Sequence, residues 1–187
     1  MIEINLTAGE KVIGKKEQKI IKGKMMKLIS KNDVINLIEQ NQNLVDFGTA
    51  EDAVSALHIK KAEDFLGLPF TDSYKWFLNN YVGGEICGEE IFSLNENFDY
   101  YNSYDFNTDI LYGEDIVCNH IINLRNKLTT DKQLIICHSD IDGVFFFDYT
   151  KYENNECPIY IYWSKDESIF YAQNFLEFLY KRIKECQ

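Results

Sequence analysis

The apolar residues of this chain change their spacing midway, from the repeat of an α-helix to the runs that are typical of β-strands. The clearest helical repeat lies in residues 74–81, where large apolar residues occupy the first, fourth, fifth and eighth positions and Gly83 and Gly84 follow as a stop signal. Weaker repeats predict one helix within residues 30–40 and another over 56–66. The first part of the chain is therefore expected to be helical.

Four apolar runs in the second part of the chain predict β-strands. They cover residues 90–94, 134–138, 144–149 and 158–163. Asp142 and Gly143 are typical of a hairpin turn between the second and third runs. Helices are predicted over 117–128 and over 169–185, the second with basic residues that suit the negative end of its dipole. This order of elements indicates an α+β fold with a central, mostly antiparallel sheet flanked by helices.

The charge of the chain restricts its partners. Its 187 residues include 19 basic and 30 acidic ones, a formal net charge of −11, which makes binding to nucleic acid or to an anionic membrane unfavourable. Residues 1–24 hold six lysines and three glutamates, whereas the remainder has 13 basic and 27 acidic residues, a net charge of −14. We therefore expect an N-terminal appendage of unknown role over 1–24 and one domain over 25–187, with a basic protein as partner. The oligomeric state stays open.

The cysteines and the N-terminus predict a cellular location. Five cysteines, an odd number with no C-x-x-C pair, indicate reduced thiols, buried as small hydrophobic residues. The first residues lack the apolar run of a signal peptide, and 18 apolar residues never occur in succession. These features predict a soluble, cytoplasmic protein.

A segment of 49 residues between Lys75 and Arg125 contains nine acidic residues and no lysine or arginine. Aromatic rings are interspersed with the carboxylates, most densely over residues 95–115. Tyrosine is favoured at binding surfaces because it offers a large, rigid contact area, and carboxylates accelerate the encounter with a basic partner. The predicted partner-binding residues are Glu89, Glu90, Glu96, Asp99, Tyr100, Tyr101, Tyr104, Asp105, Asp109 and Tyr112.

Plainer interpretations of this segment stay open. The carboxylates can form a solvated surface that serves solubility alone, and the rings can belong to the ordinary core. Glu114 and Asp115 have a local explanation, because they lie where the helix dipole of the following helix favours negative charge.

Enzymatic chemistry has no positive signal in the sequence, and we predict no catalytic residue, metal ligand or cofactor. Acidic residues in the stretch DFNTD resemble the start of a calcium-binding loop, but Ile110 and Ile116 occupy the positions that require Gly and Glu. The least favoured alternative is a carboxylate-dependent hydrolase or metal enzyme that uses Asp105, Asp109, Asp140 or Asp142.

Residues 62–84, AEDFLGLPFTDSYKWFLNNYVGG, resemble the opening motif of the SUKH superfamily, which includes yeast cell-wall assembly regulators and many bacterial immunity proteins. The residues in register with that motif are Glu63, Leu66, Gly67, Tyr74, Phe77, Leu78, Gly83 and Gly84. Val82 departs from the motif, which has Asn before the two glycines. Weaker matches extend the resemblance over about residues 26–187, and the pieces SYKWFL, ECP and FLEFLYKRI are similar to YobK-like bacterial antitoxins.

The resemblance implies a non-enzymatic, intracellular immunity protein that binds and blocks the toxic domain of a polymorphic secreted toxin. The implied class of toxin is a nuclease, whose basic cleft would complement a negatively charged inhibitor. The alternative within the same superfamily is a regulatory module of the cell-wall assembly type, whose partners are endogenous proteins.

Overall fold

The computed structural model describes residues 28–94, 115–164 and 167–187, and the side chains of Trp163 and Ser164 lie outside this description. Five α-helices occur in these residues: α1 Lys31–Gln40, α2 Ala56–Leu66, α3 Asp72–Tyr81, α4 Ile116–Arg125 and α5 Phe175–Glu185. The strands are β1 Val45–Phe47, β2 Gly84–Ile86, β3 Glu89–Ile91, β4 Gln133–Ser139, β5 Gly143–Asp148, β6 Ile159–Ser164 and β7 Glu167–Ala172. The predicted α+β fold is confirmed.

All seven strands form one antiparallel sheet in chain order, from β1 at one edge to β7 at the other. The predicted hairpin at Asp142 and Gly143 is confirmed, since β4 and β5 pair from Gln133 opposite Asp148 to Ser139 opposite Gly143. Gly143 has a φ of 102°, a backbone conformation that L side chains rarely adopt. The Asp142–Gly143 pair therefore forms the hairpin turn that the sequence predicts, with Gly143 at the position of positive φ.

Polar side chains start the helices. Ser30 accepts a hydrogen bond from the backbone N–H of Asp33, and the Asp33 carboxylate accepts one from the Ser30 N–H, which completes a capping box. In each of the other four helices the N-cap side chain accepts a hydrogen bond from a backbone N–H of the first turn. These N-cap residues are Ser55, Thr71, Asp115 and Asn174. Each cap satisfies a backbone donor that the helix itself leaves unpaired.

Aromatic rings fill the layer between the sheet and the helices α3 and α5. Phe147 of β5 and Phe175 of α5 pack edge-on against Tyr74, with ring centroids 5.8 and 5.0 Å away. Tyr74 is fully buried, and its hydroxyl donates a 2.5 Å hydrogen bond to the Phe92 carbonyl. Phe178 packs on Phe145 at 5.3 Å. The core therefore joins the middle of the sheet to one layer of helices.

The prediction of a helix over 169–185 is wrong at its start. Residues 167–172 form β7, where Ile169 lies opposite Ile161 and Ala172 opposite Ile159 of β6. Helix α5 begins only at Phe175, because the Asn174 side chain accepts a hydrogen bond from the N–H of Glu177 and caps it there. The sequence reading also missed β1 and β2, whose three residues each are too few to show an alternation.

The cysteines follow two patterns. Cys118, Cys137 and Cys157 are buried free thiols, and burial raises the pKa of Cys137 and of Cys157 to about 12. They are the small hydrophobic residues that the sequence predicts. A disulfide joins Cys87 to Cys186, so the prediction that all five thiols are reduced is wrong for this pair.

The helices described in residues 28–94, 115–164 and 167–187 are all too short or too polar to cross a lipid bilayer.

The turn between α3 and β2 contains a strained residue. Val82 has φ 63° and ψ −58°, and the N–H of Gly83 donates to the Tyr81 carbonyl across it at 2.6 Å, which is the geometry of a γ-turn with positive φ. A β-branched residue is an outlier in that conformation. Such strain amounts to about 1–3 kcal/mol.

Replacing Val82 by Gly should relieve this strain and raise the free energy of unfolding by about 1 kcal/mol relative to Val82→Ala. The alanine variant is the matched control, because it also loses the half-buried isopropyl group but keeps the Cβ that opposes positive φ. Urea denaturation of the two variants gives the difference. A glycine variant no more stable than the alanine variant would show that the turn is not strained.

One side of α4 buries polar groups. Asp115, Asn119 and Asn123 are 3–5% exposed and recur every fourth residue, and His120 lies beside them at 3%. The Nδ1 atom of His120 and the Nδ2 atom of Asn123 are buried and have no hydrogen-bond partner among the residues that the structure describes. Burial lowers the pKa of His120, and the carboxylate of Asp131 offsets only part of this effect. The folded protein therefore favours the neutral imidazole.

This pKa shift makes the stability depend on pH. The unfolded chain binds a proton at His120 near its ordinary pKa of 6.5, whereas the folded chain resists protonation to a lower pH. The contribution is present above pH 6.5 and is lost as the pH falls from there towards the folded pKa. His120→Gln should therefore lose less stability than the native protein between pH 7.5 and 5.5 in urea denaturation. His58→Gln, on α2, is the control, and an identical pH profile for His120→Gln and the native protein would contradict the prediction.

Candidate partner-binding surface

Three carboxylates lie side by side across the first three strands. Asp46 of β1 is opposite Glu85 of β2, and Glu85 is opposite Glu90 of β3. Residues opposite each other in antiparallel strands point to the same face, with Cβ atoms about 4.5–5.5 Å apart. We call Asp46, Glu85 and Glu90 the acidic row. Asp46 and Glu85 are exposed and Glu90 is half-buried.

The acidic row lies on the face of the sheet turned away from α3 and α5. Phe47, the neighbour of Asp46, points to the helices and packs on Phe77 of α3 at 5.2 Å. Ile86, the neighbour of Glu85, is 1% exposed. Because successive residues of a strand point to opposite faces, the carboxylates between these apolar residues point outward.

Like charges directly opposite each other destabilise a sheet. In the described part of the chain neither Asp46 nor Glu85 forms an ion pair. The row therefore concentrates negative charge on a rigid backbone at some cost in stability. A cationic group placed against the row would remove that repulsion.

The next residue along β3 has a different environment. The carboxylate of Glu89 points to the helix side and forms an ion pair with Arg182 of α5, and it also accepts a hydrogen bond from the Ser139 hydroxyl. The sequence assigned Glu89 and Glu90 to one binding surface. Because adjacent residues of a strand point to opposite faces, the two carboxylates lie on opposite faces of the sheet. Glu90 belongs to the acidic row, and Glu89 contacts the interior.

Arg182 is the centre of a nearly buried ion cluster. Its side chain is 6% exposed, and its Nη1 atom lies 2.7 Å from the Asp142 carboxylate and 3.0 Å from the Glu185 carboxylate. The guanidinium also lies over the Phe145 ring, 5.0 Å from its centroid. Burial lowers the pKa of Arg182, but the hydrogen bonds to Asp142 and Glu89 outweigh burial and raise it. The cluster connects α5 to β3 and to the β4–β5 turn.

The other eight predicted partner-binding residues lie outside the described residues: Glu96, Asp99, Tyr100, Tyr101, Tyr104, Asp105, Asp109 and Tyr112. The described residues on either side of them are neighbours, because Ser93 pairs with Asp115 and the Ile116 N–H donates to the Ser93 carbonyl at 2.8 Å. Asp115 is the N-cap of α4 and accepts a hydrogen bond from the Cys118 N–H, as its position before the helix predicts. The described residues that flank the segment 95–114 therefore lie next to each other, close to the end of β3.

The sequence reading left Asp46 and Glu85 out of the partner-binding set. Glu85 was visible as part of the acidic segment, whereas Asp46 lies about forty residues earlier in the chain. Only the pairing of β1 with β2 brings the two carboxylates together. Three-residue strands give no periodic signal from which this register could be predicted.

No group of three or more His, Cys, Asp or Glu side chains in residues 28–94, 115–164 and 167–187 could hold a metal ion. Asp142, considered for the enzymatic alternative, is bound to Arg182, and Asp140 is exposed in the turn beside it. Asp105 and Asp109 lie outside the description.

Replacing Arg182 by Met should lower the free energy of unfolding by about 3 kcal/mol, because Glu89 and Asp142 would lose the cation that compensates their charge. Urea denaturation measures this loss. The matched control is Glu85→Gln, which removes an exposed carboxylate four residues before Glu89 and outside the ion cluster, and which should change stability by less than about 0.5 kcal/mol. Equal stability of the Arg182→Met variant and the native protein would refute a structural role for the cluster.

Most of the elements described above belong to a known protein family. The sequence profile of the SMI1 / KNR4 family (SUKH-1) matches residues 53–181, more than two thirds of the chain. The match covers α2 to α4, strands β2 to β7 and most of α5, and therefore includes Glu85, Glu90 and the Arg182 cluster partner Glu89. The resemblance to the SUKH superfamily read from residues 62–84 is confirmed. This chain belongs to the SMI1 / KNR4 family (SUKH-1).

Proposed function

We propose that this protein is an immunity protein, which binds and neutralises the toxic domain of a polymorphic secreted toxin of the nuclease class. The observation that carries the proposal is the acidic row of Asp46, Glu85 and Glu90 on the exposed face of the sheet. Family membership is compatible with this role, since immunity proteins occur in the SUKH superfamily. The protein would act by occupying the toxin's basic site.

The electrostatics favour a basic protein partner over other classes. A nuclease presents lysine and arginine side chains to the phosphates of its substrate, and carboxylates on a rigid sheet can occupy the same positions. A cation that approaches the row relieves the repulsion between Asp46 and Glu85, so these paired carboxylates gain more from a basic partner than isolated carboxylates would. The net charge of −11 disfavours direct contact with nucleic acid or an anionic membrane.

The segment 95–114 extends this proposed surface. Its two described flanks, Ser93 and Asp115, pair with each other, and Ser93 lies two residues after β3, the strand that carries Glu90. In our proposal the row and the carboxylates accelerate encounter, and the tyrosines slow dissociation. Binding and occlusion of this kind require neither catalysis nor a cofactor. We further propose that the protein acts in the cytoplasm and that it is related to YobK-like antitoxins.

A second function is favoured by the family match itself. The SUKH superfamily, to which the match assigns the chain, includes yeast cell-wall assembly regulators, and a regulatory module of that type would bind endogenous proteins through the same surface. The gene neighbourhood separates the two functions. An immunity protein should be encoded beside a large secreted protein with a variable C-terminal toxin domain, and it should co-purify with that domain.

The acidic row can be tested by removing its charge. Combined Asp46→Asn, Glu85→Gln and Glu90→Gln substitutions should lower the association rate with the neighbouring toxin domain about tenfold at low salt and flatten its dependence on salt. Stopped-flow or surface-binding kinetics at several salt concentrations measure both effects. The matched control neutralises the exposed residues Asp131, Glu153 and Glu167, which changes the net charge equally at other places on the fold.

The outcomes separate the two parts of the surface. If the association rate falls equally in the row variant and the control variant, net charge alone explains the decrease. That result would contradict the acidic row as the binding site. Neutralising Asp99, Asp105 and Asp109 together tests the segment 95–114 in the same assay. An unchanged association rate in this variant would show that the segment 95–114 is not part of the interface. The result for the acidic row would stand independently.

A further inference from the structure

The strands that carry the acidic row are tied covalently to α5. Cys87 lies in the turn between β2 and β3, two residues after Glu85 and two before Glu89, and Cys186 directly follows α5. Their disulfide joins positions 99 residues apart, with Cα atoms 6.6 Å from each other. The Cys87 N–H also donates to the Leu44 carbonyl at 2.7 Å, so the same turn contacts the segment before β1.

The two cysteines of this pair differ in exposure from the other three. Cys87 is exposed and Cys186 is half-buried, whereas Cys118, Cys137 and Cys157 are fully buried. Small thiols and disulfides in solution can reach a sulfur atom only where it is accessible. The pair is therefore the place in the described chain where thiol chemistry can occur without unfolding.

We propose that Cys87 and Cys186 form a reversible thiol–disulfide clamp, which fixes the β2–β3 turn against α5 when oxidised and releases it when reduced by small thiols. The clamp itself is independent of any partner. Its effect on binding rests on the proposed function, because the turn it holds connects Glu85 to Glu90 of the acidic row.

Ordinary thiol exchange accounts for both directions. A thiolate attacks the Sγ atom of Cys87, the bond to Cys186 breaks, and a mixed disulfide forms while the Cys186 thiolate leaves and takes a proton from water. A second thiolate attacks the external sulfur of that mixed disulfide and releases Cys87. Two thiols are thereby oxidised to one small disulfide as the protein disulfide is reduced. A low-molecular-weight disulfide such as oxidised glutathione reverses the sequence.

Contacts other than the disulfide should keep the reduced protein folded. The ion pair of Glu89 with Arg182 joins β3 to α5 beside the disulfide, and the Gln187 amide donates to the Asn41 side chain at 2.6 Å. Neither contact involves a sulfur atom, so reduction of the disulfide does not break them directly. Release of the clamp should therefore loosen the β2–β3 turn, while the sheet and the aromatic core stay intact.

The clamp predicts a difference between the oxidised and reduced protein that needs no partner. Dithiothreitol should lower the Tm by about 10 °C, because the disulfide restricts a loop of about one hundred residues in the unfolded chain. Native mass spectrometry with a maleimide reagent should then find two labelled thiols, at Cys87 and Cys186. Hydrogen exchange of the amides in residues 84–91 should be faster in the reduced protein.

The double variant Cys87→Ser and Cys186→Ser is the matched control. It should have the Tm of the reduced native protein and should not respond to dithiothreitol or oxidised glutathione. If glutathione fails to join Cys87 to Cys186, or if exchange in residues 84–91 is the same in both redox states, the clamp is refuted. Either result leaves the binding assay of the acidic row unaffected.

The effect of the clamp on binding is tested by measuring the affinity of the oxidised and the reduced protein for the toxin domain. Oxidised protein should bind more tightly than reduced protein, and the serine variant should match the reduced value in both buffers. Equal affinity in the two states would refute regulation of binding by the clamp. Failure of the toxin to bind in either state would instead refute the proposed function, while the Tm and exchange results still decide the clamp.

Discussion

Aromatic packing between the sheet and the helices α3 and α5 is the constraint on which the rest of the structure depends. Tyr74 contacts rings of β5 and α5 at once, and its hydroxyl satisfies the carbonyl of Phe92 at the end of β3. These contacts fix which face of the sheet is turned to α3 and α5. Once that face is chosen, the alternation of each strand decides which side chains point outward.

Strand β3 shows the consequence most clearly. Glu89 and Glu90 have the same chemistry and adjacent positions, yet Glu89 meets Arg182 in the interior and Glu90 joins the exposed acidic row. The two carboxylates therefore serve different purposes, one in stability and one in the proposed binding. The ion cluster of Arg182 and the disulfide of Cys186 both connect α5 to this region, so the row is supported by the same helix that closes the core.

Long periodic segments were predictable from the sequence, and short or context-dependent ones were not. The repeat of residues 74–81 corresponds to α3, and Asp142 with Gly143 marks the hairpin that the structure contains. Residues 169–172 carry apolar side chains that fit a helix or a strand, and only pairing with β6 decides for the strand. The Cys87–Cys186 disulfide joins residues whose proximity no local pattern could reveal.

The α+β class, the negative charge and the family can be read from the sequence, because periodicity, composition and local motifs are properties of neighbouring residues. Tertiary structure alone decided that Asp46 joins Glu85 and Glu90, that Glu89 belongs to the interior, and that two cysteines meet across the fold. The reason is physical. A shift of one residue in strand register would turn every carboxylate of a strand to the other face, and register is set by packing between distant segments.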